Sequence, residues 1–276
     1  MDFSRARRTF LFAAAGGWSR AADRSSAPSE QQRLRDPATE FEVIRLTDPS
    51  RHTAVFPAAP LRAVARNNTL IYCSDRSGSM QVWRMDLKSG ESRQLTDVSS
   101  LNPSCVSLTQ NERSLCYVDG ERLVVQSGTR IQAPYAVETG WQAAGGFALS
   151  DDGLTASLVE KRNERFRLRL LAVRTGGGAR TIYEADQPVR FCRFRPKRSS
   201  LLYNYNGVLT LVNFDGRGSR RLAITGSAGF ALWSADGRAV QYLSIPEGRA
   251  SIQLREHLPE TGEDQLIGGT TQFVSF

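Results

Sequence analysis

The feature that most restricts how this chain can fold is an internal repeat. Five short β-type segments, Thr69–Ser74, Ser114–Asp119, Thr155–Glu160, Ser200–Tyr205 and Ala239–Ser244, begin 45, 41, 45 and 39 residues apart. A polar turn precedes each: Asn67-Asn68, Gln110-Asn111, Asp151-Asp152-Gly153, Pro196-Lys197-Arg198 and Ala235-Asp236-Gly237. A second β-type run follows each one: Gln81–Leu87, Arg122–Ser127, Arg167–Arg174, Val208–Phe214 and Ile252–His257. From residue 41 onward no useful 3.6-residue apolar period competes with this pattern. A unit of ~40–45 residues with four short strands is the signature of a β-propeller blade. A single blade cannot bury both its faces, so blades stack around an axis. A β-sandwich accounts for alternating strands but not for spaced copies of one unit.

The repeat predicts an all-β propeller of four-stranded blades, with five blades and an orphan strand at each end. Phe41-Glu42-Val43-Ile44-Arg45-Leu46-Thr47-Asp48 copies the outer strand that ends Gln94-Leu95-Thr96-Asp97, without three strands before it. Inner-strand ends recur at Leu108, Leu149, Phe194 and Trp233, and the next falls at Phe276. Strand Thr271–Phe276 is left without partners, so the reading is an incomplete six- to eight-bladed ring. Its open edges and the flanks of blades one and five are then free for self-association.

Ahead of the repeat, residues 1–21 read as a twin-arginine-type signal peptide. Arg7-Arg8-Thr9-Phe10-Leu11 opens a short, weakly apolar run, and Ser19-Arg20-Ala21 offers a small-x-small cleavage site. Residues 22–40 read as a polar linker, which leaves 41–276 as the propeller. The expected location is therefore outside the cytoplasm, periplasmic or extracellular. No apolar run approaches the ~18–20 residues of a membrane span. The formal charge is +8, but 33 of the 36 basic residues are Arg, a bias that follows from base composition, so no nucleic-acid partner is inferred.

Residues 41–97 read "FEVIRLTDPSRHTAVFP…LIYCSDRSGSMQVWRMDLKSGESRQLTD". This stretch resembles the first blade of the oligogalacturonate lyase family, propellers that are in turn similar to the TolB type. The shared elements are Arg-Leu-Thr-Asp, a His a few residues on, a strand ending at Asp-x-x-Gly, and Leu-x-x-Gly-Glu-x-x-Gln-Leu-Thr. More weakly, the resemblance extends over some 230 residues to the end of the chain. It implies pectin or oligogalacturonate breakdown by β-elimination, with a manganese held mainly by histidines. Such a metal withdraws charge from the uronate carboxylate while a base removes the adjacent proton. Carried over residue by residue, the metal-binding His falls on Phe230 and a basic residue falls on Val208. Only His52 matches, so no catalytic residue and no metal ligand are assigned, and no cofactor is expected in this chain.

In a propeller the loops joining second to third strands, and those linking blades, meet on one face. That places His52, Arg76, Arg162, Arg165 and Arg249, with Lys161, on a candidate rim for an acidic oligosaccharide, because Arg pairs with carboxylates bidentately. The same residues also read as a solvated surface of an Arg-rich chain, and His52 as an ordinary loop residue. Thr175-Gly176-Gly177-Gly178 is a hairpin turn, not a phosphate loop, since no Lys-Ser/Thr follows. Cys105 and Cys116 sit symmetrically about a turn and either pair or serve as small core residues; Trp83, Trp141 and Trp233 read as packing residues. Three functions remain open: a lyase, a non-catalytic exported propeller binding a glycan or protein partner, and a degraded copy without activity.

Overall fold

The computed structural model describes residues 25–57, 63–174, 178–246 and 251–270. The signal segment, Arg249, the Thr175–Gly177 turn and the last strand, 271–276, lie outside the described residues. Within them the chain is all-β and builds five blades in a propeller arrangement, with extra strands at its N-terminal end.

Blades two to five are four-stranded antiparallel meanders. Blade two runs Leu101–Leu108, Leu115–Asp119, Arg122–Ser127 and Arg130–Ala136. Blade three runs Gln142–Leu149, Thr155–Arg162, Arg165–Ala172 and Ala179–Ala185. Blade four runs Val189–Phe194, Ser200–Tyr205, Val208–Asn213 and Arg220–Arg221. Blade five runs Ser227–Trp233, Val240–Ile245, Ile252–His257 and Asp264–Thr270. In blade one the innermost strand is split: Ala54–Val55 and Val64–Ala65 pair with opposite ends of Thr69–Ser74. Gln81–Asp86 and Ser92–Gln94 follow outward.

The apolar runs used to find the repeat are the second strands, and burial explains why they stood out. Leu115, Cys116, Tyr117 and Val118 are all buried in succession, as are Leu201, Leu202 and Tyr203. A blade is covered on both faces, so its middle strands need apolar side chains on both. Outer strands such as Arg130–Ala136 are mostly exposed and carry a weaker pattern. Core clusters join blade one to two, two to three, three to four and four to five. Among the described residues no such cluster joins blade five to blade one.

The turn between first and second strands repeats its chemistry as well as its spacing. In blade three Ser150 Oγ donates to Asp152 Oδ1 (2.6 Å), which also accepts Leu154 N–H, while Thr155 N–H returns to Ser150 Oγ. Ser234 and Asp236 do the same in blade five, and Thr109 and Asn111 in blade two. These side chains take over backbone donors that the tight turn would leave unpaired. Gly237, at φ +73°, completes this turn in blade five; a Cβ there would lie 2.7 Å from the Pro196 carbonyl oxygen.

The N-terminal segment departs from the linker reading. Ser26–Ala27 adds a fifth strand to the outer edge of blade one, and Gln32–Arg35 pairs with Glu42–Arg45 in a separate hairpin. The orphan strand thus finds its partner in the segment before it, not in a blade. The flank of blade one is accordingly covered: Ala27 and Leu46 pack against Ala63, Leu70, Tyr72, Trp83 and Met85. This segment is too polar to announce strands by apolar alternation; it pairs because an open sheet edge offers backbone partners.

Candidate functional site

The repeat predicts that Arg76, in the loop after Thr69–Ser74, lies on an exposed rim. Its guanidinium instead lies over the rings of Tyr72 and Trp83, 5.7 and 5.2 Å from their centroids. Nη2 donates to Glu30 Oε2 (2.9 Å) and to His52 Nε2 (2.7 Å), and the Arg76 side chain is 7% exposed. Arg has no acceptor, so His52 must accept at Nε2. Glu30 also takes the Asp48 N–H. The structure therefore does bring His52 and Arg76 together, but as a buried structural cluster closed by Glu30. The sequence carried no sign of Glu30, which stands in the supposed linker.

Blade three presents the rest of the expected cations. Arg162 lies at the end of the second strand, with its guanidinium carbon 4.6 Å from the centroid of Trp141. Lys161 sits over Phe166 at 5.3 Å. Arg162 is exposed and has no acidic partner among the described residues, whereas Arg165 pairs with Glu184 (3.1 Å), both at the surface. A second guanidinium, Arg167, also lies over Trp141, 4.0 Å from the ring centroid. Arg167 donates to the fully buried Glu160 (2.6 Å) and to Glu138 (3.0 Å), and Arg169 also reaches Glu138. The Arg167 hydrogen bond and charge, helped by Arg169, hold Glu138 below the usual carboxylate range. Tyr135 Oη donates to Glu160; burial first, then this carboxylate, pushes its phenol well above its ordinary value. Trp141 thus meets both an arginine held in a neutralised ion-pair network and an Arg162 with no acidic partner among the described residues. Such cation–π contacts orient a guanidinium without consuming its N–H donors.

The four cysteines are buried free thiols. Cys116 faces Ser107 across the hairpin, so Cys105 and Cys116 are not opposed. Burial pushes the Cys73, Cys105 and Cys192 thiols up to about 12, which makes them poor nucleophiles. His257 is buried at the end of its strand, 3.8 Å from Asp264, with Nδ1 lacking a hydrogen-bond partner. Asp264 accepts from Tyr242, Thr225 and Arg255. No group of three His, Cys, Asp or Glu side chains capable of holding a metal ion occurs among the described residues. Separately, a cleft of about 1020 Å³ opens where the first turns of blades four and five meet; Arg195, Arg198, Arg238 and Glu260 are among its lining residues.

The chain matches no family model and no curated protein sequence. Solved structures are similar in fold. An oligogalacturonate lyase in complex with manganese superposes with a TM-score of 0.81 at 21% identity, over 90% of this chain and 74% of the other. An oligogalacturonate lyase from Vibrio parahaemolyticus gives 0.76 at 19%, over 90% and 75%. TolB from Acinetobacter baumannii gives 0.54 at 13%, over 79% and 52%. The fold is that of the oligogalacturonate lyase propellers, as the first-blade motif implied.

Proposed function

We propose that this chain is an exported, oligogalacturonate-lyase-like propeller that binds an acidic oligosaccharide on the blade-three loops and does not itself carry out metal-assisted β-elimination. The observation that carries the binding reading is Arg162, set 4.6 Å over Trp141 with no acidic partner among the described residues and Arg165 nearby in the same hairpin. A planar, oriented guanidinium matches a uronate carboxylate, and the exposed Arg165–Glu184 pair is weak enough to exchange partners.

Manganese does not fit the residues described. Where the resemblance calls for a His, Phe230 packs against Phe191 at 5.7 Å. His52 is engaged with Arg76, and His257 is buried beside Asp264. No step is therefore derived through a metal. A protein partner is the second reading. The hairpin of Gln32–Arg35 and Glu42–Arg45 leaves Phe41 73% exposed and Val43 and Ile44 nearly half exposed, a surface suited to another chain, including a second copy.

Polygalacturonate and its fully methyl-esterified form separate these readings. Saturable binding of the acid form, weakened several-fold in Arg162→Ala, supports the proposal; equal binding of both forms, or of neither, refutes it. A chelator-sensitive, manganese-restored rise in ultraviolet absorbance from unsaturated product would refute the non-catalytic part. Export is tested by Arg7→Lys with Arg8→Lys, which should leave the protein inside the cell.

A further inference from the structure

The first strand of blade four, Val189–Phe194, and the first strand of blade five, Ser227–Trp233, are the innermost strands of adjoining blades. Their seam is built on Phe191, Ala228 and Ala231, with Trp233 packed against it. Into this seam the chain places a positive charge. The guanidinium carbon of Arg193 lies 5.6 Å from the Phe191 ring centroid and 5.4 Å from that of Phe230. Nη1 donates to the Cys192 carbonyl (2.9 Å), and Arg193 forms no ion pair with any described residue. Two positions further on, Arg195 is treated differently: its side chain donates to the Gly237 carbonyl and to Glu260, over Trp233. The Trp233 indole N–H in turn donates to the Arg193 carbonyl (3.3 Å).

An unpaired guanidinium set against a pair of packed phenyl rings is costly to bury. Rings offset part of the lost hydration, but charge burial without a counterion is rare because it is expensive. The desolvation shows in Arg193 itself, whose pKa is held below the ordinary guanidinium range by burial. Arg193 is only partly buried, and none of its nitrogens is both sealed from solvent and unpartnered. Nε and Nη2 therefore stay open to a ligand, on a backbone fixed by strand pairing to Leu202.

We propose that Arg193, seated against the packed pair Phe191 and Phe230, is a carboxylate-binding site at the seam of blades four and five. A carboxylate offers two coplanar oxygens to the guanidinium edge and supplies the missing negative charge. This site is separate from Arg162 and does not depend on the oligosaccharide reading. The carboxylate has two possible sources, a uronate sugar and a small free organic acid, and the experiment distinguishes them.

The full chain is titrated with acetate, a hexuronate and the hexuronate methyl ester, followed by the emission of Trp233, with Trp233→Phe identifying its share. Expected is saturable binding of an acid and none of the ester, weakened about tenfold or more in Arg193→Gln. Arg193→Lys keeps the charge without the planar fork and should fall between; it also serves if Arg193→Gln fails to fold. Binding of the hexuronate but not acetate assigns the source to the sugar; equal binding assigns it to the carboxylate alone. Unchanged affinity in both variants, ester binding equal to acid, or no saturation by either acid overturns the proposal. Loss of polygalacturonate binding in Arg162→Ala with hexuronate binding retained would leave this site standing alone.

Discussion

Glu30 is expected to be worth more to this fold than its place in a polar, linker-like segment suggests. Its carboxylate is the only acidic partner of Arg76 among the described residues, and the side chains of Arg76, His52 and Glu30 are 7%, 5% and 16% exposed. Removing one member of a buried ion pair costs about 3–5 kcal/mol, because the remaining charge stays desolvated. Glu30 retains some water contact, which puts Glu30→Ala at the lower end, about 3 kcal/mol. For a chain of this length that corresponds to a fall in Tm of about 6–12 °C. The loss also loosens the N-terminal segment that lies along blade one. Backbone pairing of Ser26 and Ala27 with blade one, Ser25 Oγ to Gln94 Oε1 and Gln31 Nε2 to the Leu87 carbonyl also tie it down, and Ala27 packs against the cluster of Tyr72, Trp83 and Met85. Denaturant unfolding with tryptophan emission as readout measures both effects. The decisive control is Arg76→Met, which removes the buried charge. The double variant should be clearly less damaged than the sum of the singles, by about 1–3 kcal/mol of coupling. Additive singles, or a Glu30→Ala loss below about 0.5 kcal/mol, the ordinary surface range, would refute the reasoning.

Acid should weaken blade five in two stages. Burial holds His257 below its ordinary 6.5, so protonation favours the unfolded chain, and its contribution is lost as pH falls below that value. For Asp264 burial acts upward, but hydrogen bonds from Thr225, Tyr242 and Arg255 outweigh it and lower the pKa below 3.8, so a second loss follows at more acid pH. His257→Gln should abolish the first stage and spare the second in a pH series of unfolding curves. Gly237→Ala should cost about 2 kcal/mol or more, from its positive φ and the collision with the Pro196 carbonyl; an unchanged urea midpoint would contradict the turn geometry.

The blades were legible in the sequence because a strand covered on both faces needs an apolar run, and because Ser150–Asp152 and Ser234–Asp236 repeat one turn chemistry. What was hidden depends on partners far along the chain. The strands at Ser26–Ala27 and Gln32–Arg35 have no apolar period and are held by backbone pairing to an edge and to a hairpin. Blade one has a split inner strand, so it lacks the inner-strand end that marked the other blades. Arg76 reads as a turn cation until Glu30, 46 positions earlier, closes on it.

Arginine content alone says little about what this propeller binds, but the allocation of acids among the arginines says more. Glu30 is spent on Arg76, Glu160 and Glu138 on Arg167, Glu260 on Arg195 and Asp264 on Arg255. Each of these pairs ties one strand, loop or blade to another, and each guanidinium loses donors in doing so. Arg162 and Arg193 are set against aromatic rings with no acid paired to them among the described residues. A ring holds a guanidinium in a fixed plane while leaving its edge open. A chain that needed these two only as packing would gain by neutralising them, as it does for Arg167, which also lies over Trp141. At this one indole the two treatments meet: Arg167 is paired to acids, while Arg162 keeps its edge unpaired among the described residues.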